Sequence, residues 1–257
     1  MGHSSSLTDR RTGTGAAGRF AIVIPVYNHS RQVEGVIAEA LKLDLPIFVV
    51  DDGSTDDTCR RISRYQEISI LRHEKNRGKG AALMTGFRQA ARIADWAITL
   101  DADGQHNPGD ATVLMKAAEQ SPGAFIIGHR MGMDNPNVRW TSRFGRKFSN
   151  FWVRVCGGPV MADSQSGFRI YPLPKATRLG ASSRRFEFEV EILVLAHWHR
   201  IPVVEVPVGV NYLPRHERIS HFRPWRDFFR NSKTFSSLLL RRFFFKPAAV
   251  EYDDVPG

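Results

Sequence analysis

Phe20-Ala-Ile-Val-Ile-Pro-Val-Tyr-Asn-His-Ser30 and Pro46-Ile-Phe-Val-Val-Asp-Asp-Gly-Ser54 decide the fold. Each begins as an unbroken apolar, β-branched run and ends in polar turn residues, the pattern of a buried strand that opens into a loop. Between them Val33, Val36, Ile37, Ala40 and Leu41 recur at helical spacing, with Ser30 as the expected cap. Strand, helix, strand is a βαβ unit.

The alternation continues outward. Helices are expected near 56–65, 80–93 and 110–119, and strands at 68–71, 96–100 and 124–127. The second half is less regular, with helices over 137–155 and 186–197, strands at 168–171 and 201–210, and a last amphipathic segment over 224–245. This predicts an α/β fold with a mostly parallel central sheet flanked by helices, in which ligands bind at the carboxyl ends of the strands. The expected division is an unstructured tail over 1–18, a catalytic domain over 19–222 and a basic amphipathic segment over 223–257.

Composition narrows the partners. The 257-residue chain carries a net charge of +10, concentrated in its second half. Residues 130–154 hold six basic side chains against one acid, and residues 215–246 hold nine against two. Such a surface implies an anionic partner: a phosphorylated substrate, an anionic membrane surface or nucleic acid. No zinc finger or RNP motif accompanies the charge, so nucleic acid is not expected. Cys59 and Cys156 lack metal-ligand spacing, and no apolar run is long enough for a signal peptide or a membrane span. The expectation is a cytoplasmic protein, peripheral on the cytoplasmic face of a membrane.

Two acidic turns carry the chemistry. Asp51 and Asp52 stand where a strand opens into a Gly-containing turn, where a carboxylate would accept hydrogen bonds from a ribose or base; capping of the next helix by Ser54 or Asp56 is the alternative. Asp101-Ala-Asp103 ends another apolar strand, and its two acids suit a hard divalent cation, Mg²⁺ or Mn²⁺, shared with diphosphate oxygens. A solvated acidic turn is the competing reading. Asn76-Arg-Gly-Lys-Gly80 offers a helix start and Lys79 to a phosphate, without P-loop spacing. His197 and His199, two residues apart on a helix, do not share a face and read as packing residues.

With these pieces in order, the chain resembles the inverting glycosyltransferases of family 2, which have the A-type nucleotide-diphospho-sugar transferase fold. The resemblance rests on Ile24-Pro-Val-Tyr-Asn28, Val50-Asp-Asp-Gly-Ser54, Asn76-Arg-Gly-Lys-Gly-Ala81, Asp101-Ala-Asp-Gly-Gln-His106, Gly128-His-Arg130 and Asp163-Ser-Gln-Ser-Gly-Phe-Arg169. Phe186-Glu-Phe-Glu-Val-Glu191 and Val204-Glu-Val-Pro207 extend it toward the dolichol-phosphate mannosyltransferase and polyprenyl-phosphate glycosyltransferase branch.

The resemblance implies a UDP- or GDP-linked hexose donor and a polyprenyl-phosphate or glycan acceptor in cell-envelope glycan biosynthesis. Pro25, Tyr27, Asp51 and Asp52 would hold the nucleoside, and Asp101 and Asp103 the metal and diphosphate. Gln105 would face the sugar or acceptor. Arg130 and Arg169 would meet an anionic acceptor, and Arg215, Ser220 and His221 take the place of a C-terminal phosphate-binding loop. Two departures from the family pattern are His29, often Glu, and Arg215-His-Glu-Arg-Ile-Ser-His221, usually Arg-x-x-Gly-x-Ser-Lys. The Gln-x-x-Arg-Trp signature of processive synthases is absent, so a polymerase is not expected.

A phosphate acceptor is already a nucleophile, whereas a hydroxyl needs a base, for which Asp163 comes first and Glu189 second. Either acid would otherwise anchor structure, Asp163 by bonding backbone N–H groups or by pairing with Arg169. The segment after Phe222 interleaves Arg and Lys with Phe, Trp and Leu, which suits either a membrane interface or packing on the domain. A non-catalytic nucleotide-sugar or lipid-surface binding protein is the rival from a different class. A nucleotidyltransferase is disfavoured, because no Gly-rich loop with Arg follows the first strand.

Overall fold

The computed structural model describes residues 18–132, 140–210 and 224–244. Seven strands form one sheet: β1 (Phe20–Val26), β2 (Ile47–Asp51), β3 (Ile68–Arg72), β4 (Trp96–Thr99), β5 (Phe125–Arg130), β6 (Arg169–Pro172) and β7 (Val203–Val208). The helices are α1 (Val33–Leu41), α2 (Thr58–Ile62), α3 (Lys79–Ala90), α4 (Ala111–Gln120), α5 (Trp140–Val155), α6 (Leu173–Arg178), α7 (Phe188–Trp198) and α8 (Pro224–Phe244).

The strand order is β3-β2-β1-β4-β6-β5-β7. β1 lies between β2 and β4 and pairs with both in parallel, Val26 opposite Asp51 and Val23 opposite Thr99. β6 inserts antiparallel between β4 and β5. Successive residues of a strand point to opposite faces, so β1 feeds two cores. Ala21 and Val23 join Phe87, Phe125, Tyr171, Phe188 and Phe235 on one face. Ile22 and Ile24 join Ile37, Val49, Ile98, Leu114 and Ile126 on the other.

The expected elements are present within a few residues of their sequence-based bounds. Ser30 is not the cap of α1: Gln32 stands at that position without a side-chain capping bond to the helix, and the Ser30 backbone N–H instead donates to Asp56 Oδ2. Asp56 Oδ1 accepts from Thr58 N at 3.0 Å, but the N-cap of α2 is Asp57, which makes no side-chain cap bond, so Asp56 braces the turn just before the helix. The short helix α6 was not anticipated, because Pro172 and Pro174 interrupt any periodic pattern.

Where α8 is described in side-chain detail it packs on the domain. Phe235 and Leu238 are buried in the first core, and the Phe235 ring stacks on Trp152 with centroids 6.0 Å apart. Arg242 donates to the Val155 carbonyl at 2.6 Å, and the Arg241 guanidinium lies over the Trp198 ring. Residues 1–17 and 245–257, at the ends of the expected tail and C-terminal segment, lie outside the described residues. Phe235→Ala should lower the unfolding free energy by about 3–5 kcal/mol in urea titrations, the cost of emptying a buried aromatic site. A loss below about 1 kcal/mol would mean that α8 does not complete the core.

Candidate active site

The loops after β1, β2 and β4 meet at one edge of the sheet, where α3 begins. The first two are zipped together: Asn28 N donates to Ser54 Oγ at 3.0 Å, Thr55 N to Asn28 Oδ1 at 2.8 Å, and His29 N to Thr58 Oγ1 at 3.0 Å. Asn28 takes φ 53° to make this corner, a conformation its short polar side chain tolerates. Pro25 lies within β1 opposite Val50, and Tyr27 is half-buried just beyond.

The two acids after β2 have different roles. Asp51 is fully buried; its Oδ1 accepts from Ser54 N, while Oδ2 faces Arg72 at 3.5 Å and accepts no hydrogen bond. Both oxygens of Asp52, expected to hold the nucleoside, are engaged within the fold. Its Oδ1 accepts from His73 Nδ1 at 2.7 Å and Arg77 N at 2.9 Å, and its Oδ2 from Gly78 N at 2.7 Å. These bonds tie the 76–78 turn to the sheet, and His73 in turn contacts Thr85 Oγ1 at 3.0 Å. Gly78 has φ 102°, and a Cβ there would collide with the Arg184 carbonyl, so the turn requires glycine.

At the end of β4, Asp101 Oδ1 lies 2.6 Å from Lys79 Nζ, which also contacts Glu189 Oε1 at 2.6 Å. Burial works to raise the Asp101 carboxyl, but the Lys79 ammonium outweighs it and holds it below its ordinary value. Asp103 has no such partner among these contacts; burial and then the charge of Asp101 push it up to about 6. Gln105 orients it, donating through its backbone N at 3.0 Å and its amide at 2.7 Å. His106 is buried against Phe168 with ring centroids 5.2 Å apart, and burial pushes it down to about 4.

The acidic pair suits a divalent cation. Two carboxylates two residues apart repel each other strongly enough to raise Asp103, and no cluster of three His, Cys, Asp or Glu occurs among the described residues. Asp101 and Asp103 would therefore supply part of an oxygen shell, with the rest left to ligand and water oxygens, as Mg²⁺ and Mn²⁺ accept.

The other basic and acidic candidates are mutually engaged. Arg130, at the end of β5, grips Asp163 with two bonds, Nε to Oδ2 at 2.7 Å and Nη2 to Oδ1 at 2.9 Å. Burial works to raise Asp163, but these bonds hold it below its ordinary value. The expected partner of Asp163 was Arg169; the structure replaces it with Arg130. Arg169 is likewise corrected as an acceptor contact. It has no solvent exposure and donates to the carbonyls of Ser166, Glu189 and Ser164 at 2.6, 2.8 and 2.9 Å. Arg215, Ser220 and His221 lie outside the described residues.

Several positioning residues were not assigned from the sequence. Glu205 accepts from the backbone N–H groups of Ala162 and Asp163, and Asn150 accepts from Ser164 N and donates to the Ala162 carbonyl. A lone acid inside the apolar strand Val203–Val208 was the available signal for Glu205. Gly167 lies against the Asp101 and Lys79 pair: a Cβ there would overlap Asp101 Oδ2 and stand 2.7 Å from Lys79 Nζ.

Residues 21–174 match the family model described as glycosyl transferase family 2. The chain belongs to that family. An uncharacterized protein of Methanocaldococcus jannaschii is 34% identical over 197 residues, covering 74% of this glycosyltransferase and 81% of the relative. A UDP-N-acetylglucosamine–dolichyl-phosphate N-acetylglucosaminyltransferase of Methanococcus voltae is 29% identical over 215 residues, covering 74% and 85%. The human dolichyl-phosphate β-glucosyltransferase is 26% identical over 221 residues, covering 74% and 67%. Mannosyl-3-phosphoglycerate synthase from Rubrobacter xylanophilus superposes with a TM-score of 0.64 at 16% identity, covering 93% of this glycosyltransferase and 79% of that chain. The fold is the A-type glycosyltransferase fold.

Arg130→Met should leave the Asp163 carboxylate buried without its guanidinium and cost on the order of 3–5 kcal/mol at pH 7 in chemical denaturation. Arg130→Met/Asp163→Asn should recover most of that loss. In the wild type the depressed Asp163 contributes stability above its ordinary value of 3.8, and that contribution is lost as the pH falls below it. The deficit of the single variant should therefore shrink as the pH falls below 3.8, and a deficit independent of pH there would rule out the pair as its source.

Proposed function

We propose that this glycosyltransferase moves a hexose, with inversion, from a UDP- or GDP-linked donor to a polyprenyl phosphate. The observation that carries the choice of acceptor is the state of the two acids that would serve as general base. Asp163 is held below its ordinary value by Arg130 and is a weak proton acceptor, and Glu189 is occupied by Lys79. A phosphate oxygen is anionic at neutral pH and needs no base, whereas a hydroxyl acceptor does. The Methanococcus voltae and human relatives, both named as transferases to dolichyl phosphate, support the same reading.

The nucleoside would rest against Tyr27 at the edge where β1 and β2 end, above the buried Asp51, whose Oδ2 accepts no hydrogen bond. Asp101 and Asp103 would hold a divalent cation and the diphosphate, with Gln105 fixing Asp103. A bound Mg²⁺ or Mn²⁺ would neutralise the charge that gathers on the leaving nucleoside diphosphate. The acceptor oxygen attacks the anomeric carbon from the face opposite the diphosphate; the new carbon–oxygen bond forms as the old one breaks, and the bonding pair leaves with the diphosphate. Catalysis on this scheme is positioning and charge stabilisation.

A lipid acceptor asks for contact with a membrane. No helix among the described residues is long and apolar enough to cross one. The exposed face of α5 instead presents Phe144, Lys147, Phe151 and Arg154 on one side, and α8 beside it presents Leu240 and Phe243 with Lys233 and Arg242. Apolar side chains among basic ones suit peripheral docking on an anionic lipid surface.

Two measurements test the reading. Calorimetric titration of UDP, GDP and their hexose conjugates with Mn²⁺, Mg²⁺ or EDTA should give metal-dependent binding of one nucleotide, reduced more than tenfold by Asp103→Ala. Absence of binding under every metal would overturn the donor assignment. Phe151→Ser/Phe243→Ser should reduce co-sedimentation with anionic vesicles severalfold while leaving transfer to a short, water-soluble prenyl phosphate unchanged; equal co-sedimentation would remove the membrane face.

A further inference from the structure

Lys79 stands where a divalent cation would compete with it. Its ammonium is 2.6 Å from Asp101 Oδ1 and 2.6 Å from Glu189 Oε1, and it lies 5.9 Å from the centre of the Phe186 ring. The side chain is 13% exposed, and the Gly167 backbone walls it in so closely that a methyl group there would stand 2.7 Å from Nζ. The two carboxylates reach it from separate parts of the fold, Asp101 from the end of β4 and Glu189 from the first turn of α7. Asp101 is thus claimed by a resident cation and by the acidic pair it forms with Asp103.

Charge decides what can displace the ammonium from Asp101. Asp101 and Glu189 pair directly with the ammonium of Lys79, and Asp103 feels both that charge and the Arg130 guanidinium, itself paired with Asp163. A bare divalent ion would bring two more positive charges against that ammonium at close range in a shielded site, where like charges repel strongly. An ion that arrives with a nucleoside diphosphate brings its own compensating anion, and that anion offers Lys79 a second partner at the N-terminus of α3.

We propose that Lys79 is a resident counter-ion that keeps a bare divalent cation off Asp101 and yields it when a nucleoside diphosphate enters, so that metal and donor bind as a pair. The proposal rests on the reading that Asp101 and Asp103 hold the ion. Glu189 is the second anchor: its bond to Nζ keeps the ammonium beside the site after Asp101 turns away. Lys79 acts through Asp101 and the donor phosphates, and its signature is a coupling between two ligands.

The experiment is Mn²⁺ binding to the full chain, followed by the electron-paramagnetic signal of free Mn²⁺, alone and with saturating UDP or GDP. Lys79→Met removes the charge and keeps an apolar side chain of similar reach. Lys79→Met/Glu189→Gln also neutralises the carboxylate that the first change would leave buried and unpaired, so the test does not depend on the single variant folding. In the wild type Mn²⁺ should bind weakly alone and at least about tenfold more tightly with the nucleotide. Both variants should bind Mn²⁺ alone about tenfold more tightly while their affinity with nucleotide does not rise, so the gain conferred by the nucleotide should shrink at least about tenfold. Unchanged affinity for Mn²⁺ alone in folded variants, with the nucleotide gain intact in the wild type, would overturn the counter-ion role and leave the donor site standing. No Mn²⁺ binding to the wild type with either nucleotide would overturn both.

Discussion

A guanidinium with no access to water holds the two halves of the site together. Arg169 draws the carbonyls of Ser164, Ser166 and Glu189 onto one planar fork and approaches the Tyr171 hydroxyl at 3.4 Å. An isolated charge in that position would be very costly, and these carbonyls make it tolerable. The consequence is positional. The loop over 163–168 is pinned to the first turn of α7, which sets Gly167 against Asp101 and brings Glu189 to Lys79. The antiparallel strand β6, which begins at Arg169, is where this clamp enters the sheet.

The central strands β1, β2 and β4 were legible because they are buried on both faces and so read as continuous apolar runs. Phe20–Val26 has all seven residues buried, and the polar turn after it marks its carboxyl end. The acidic turns at Asp51 and Asp101 were legible for the same reason, since they stand directly after such runs. Direction was not legible: the four residues of β6 look like any short strand, and only its neighbours make it antiparallel.

Partners were harder to read than positions. Nothing in the run Val50-Asp-Asp-Gly-Ser54 distinguishes the acid that keeps an open oxygen from the one spent on His73 and two backbone N–H groups. The difference arises from the pleat, which aims adjacent side chains to opposite sides. Asp163 and Arg169 are six residues apart and looked like a pair, yet the guanidinium that reaches Asp163 comes from β5, 33 residues earlier in the chain. Arg169 itself read as an exposed basic contact because sequence cannot show that three carbonyls await it.

The last described helix raises a matter of timing. Phe148 and Trp152 of α5 are covered by Phe235 of α8, more than eighty residues later in the chain. During synthesis the sheet and its loops emerge well before the ring that closes this side of the core. Until then the nascent chain displays an aromatic cleft beside a basic helix. An aromatic cleft exposed during synthesis is the kind of surface that aggregates or recruits a chaperone before a chain is complete.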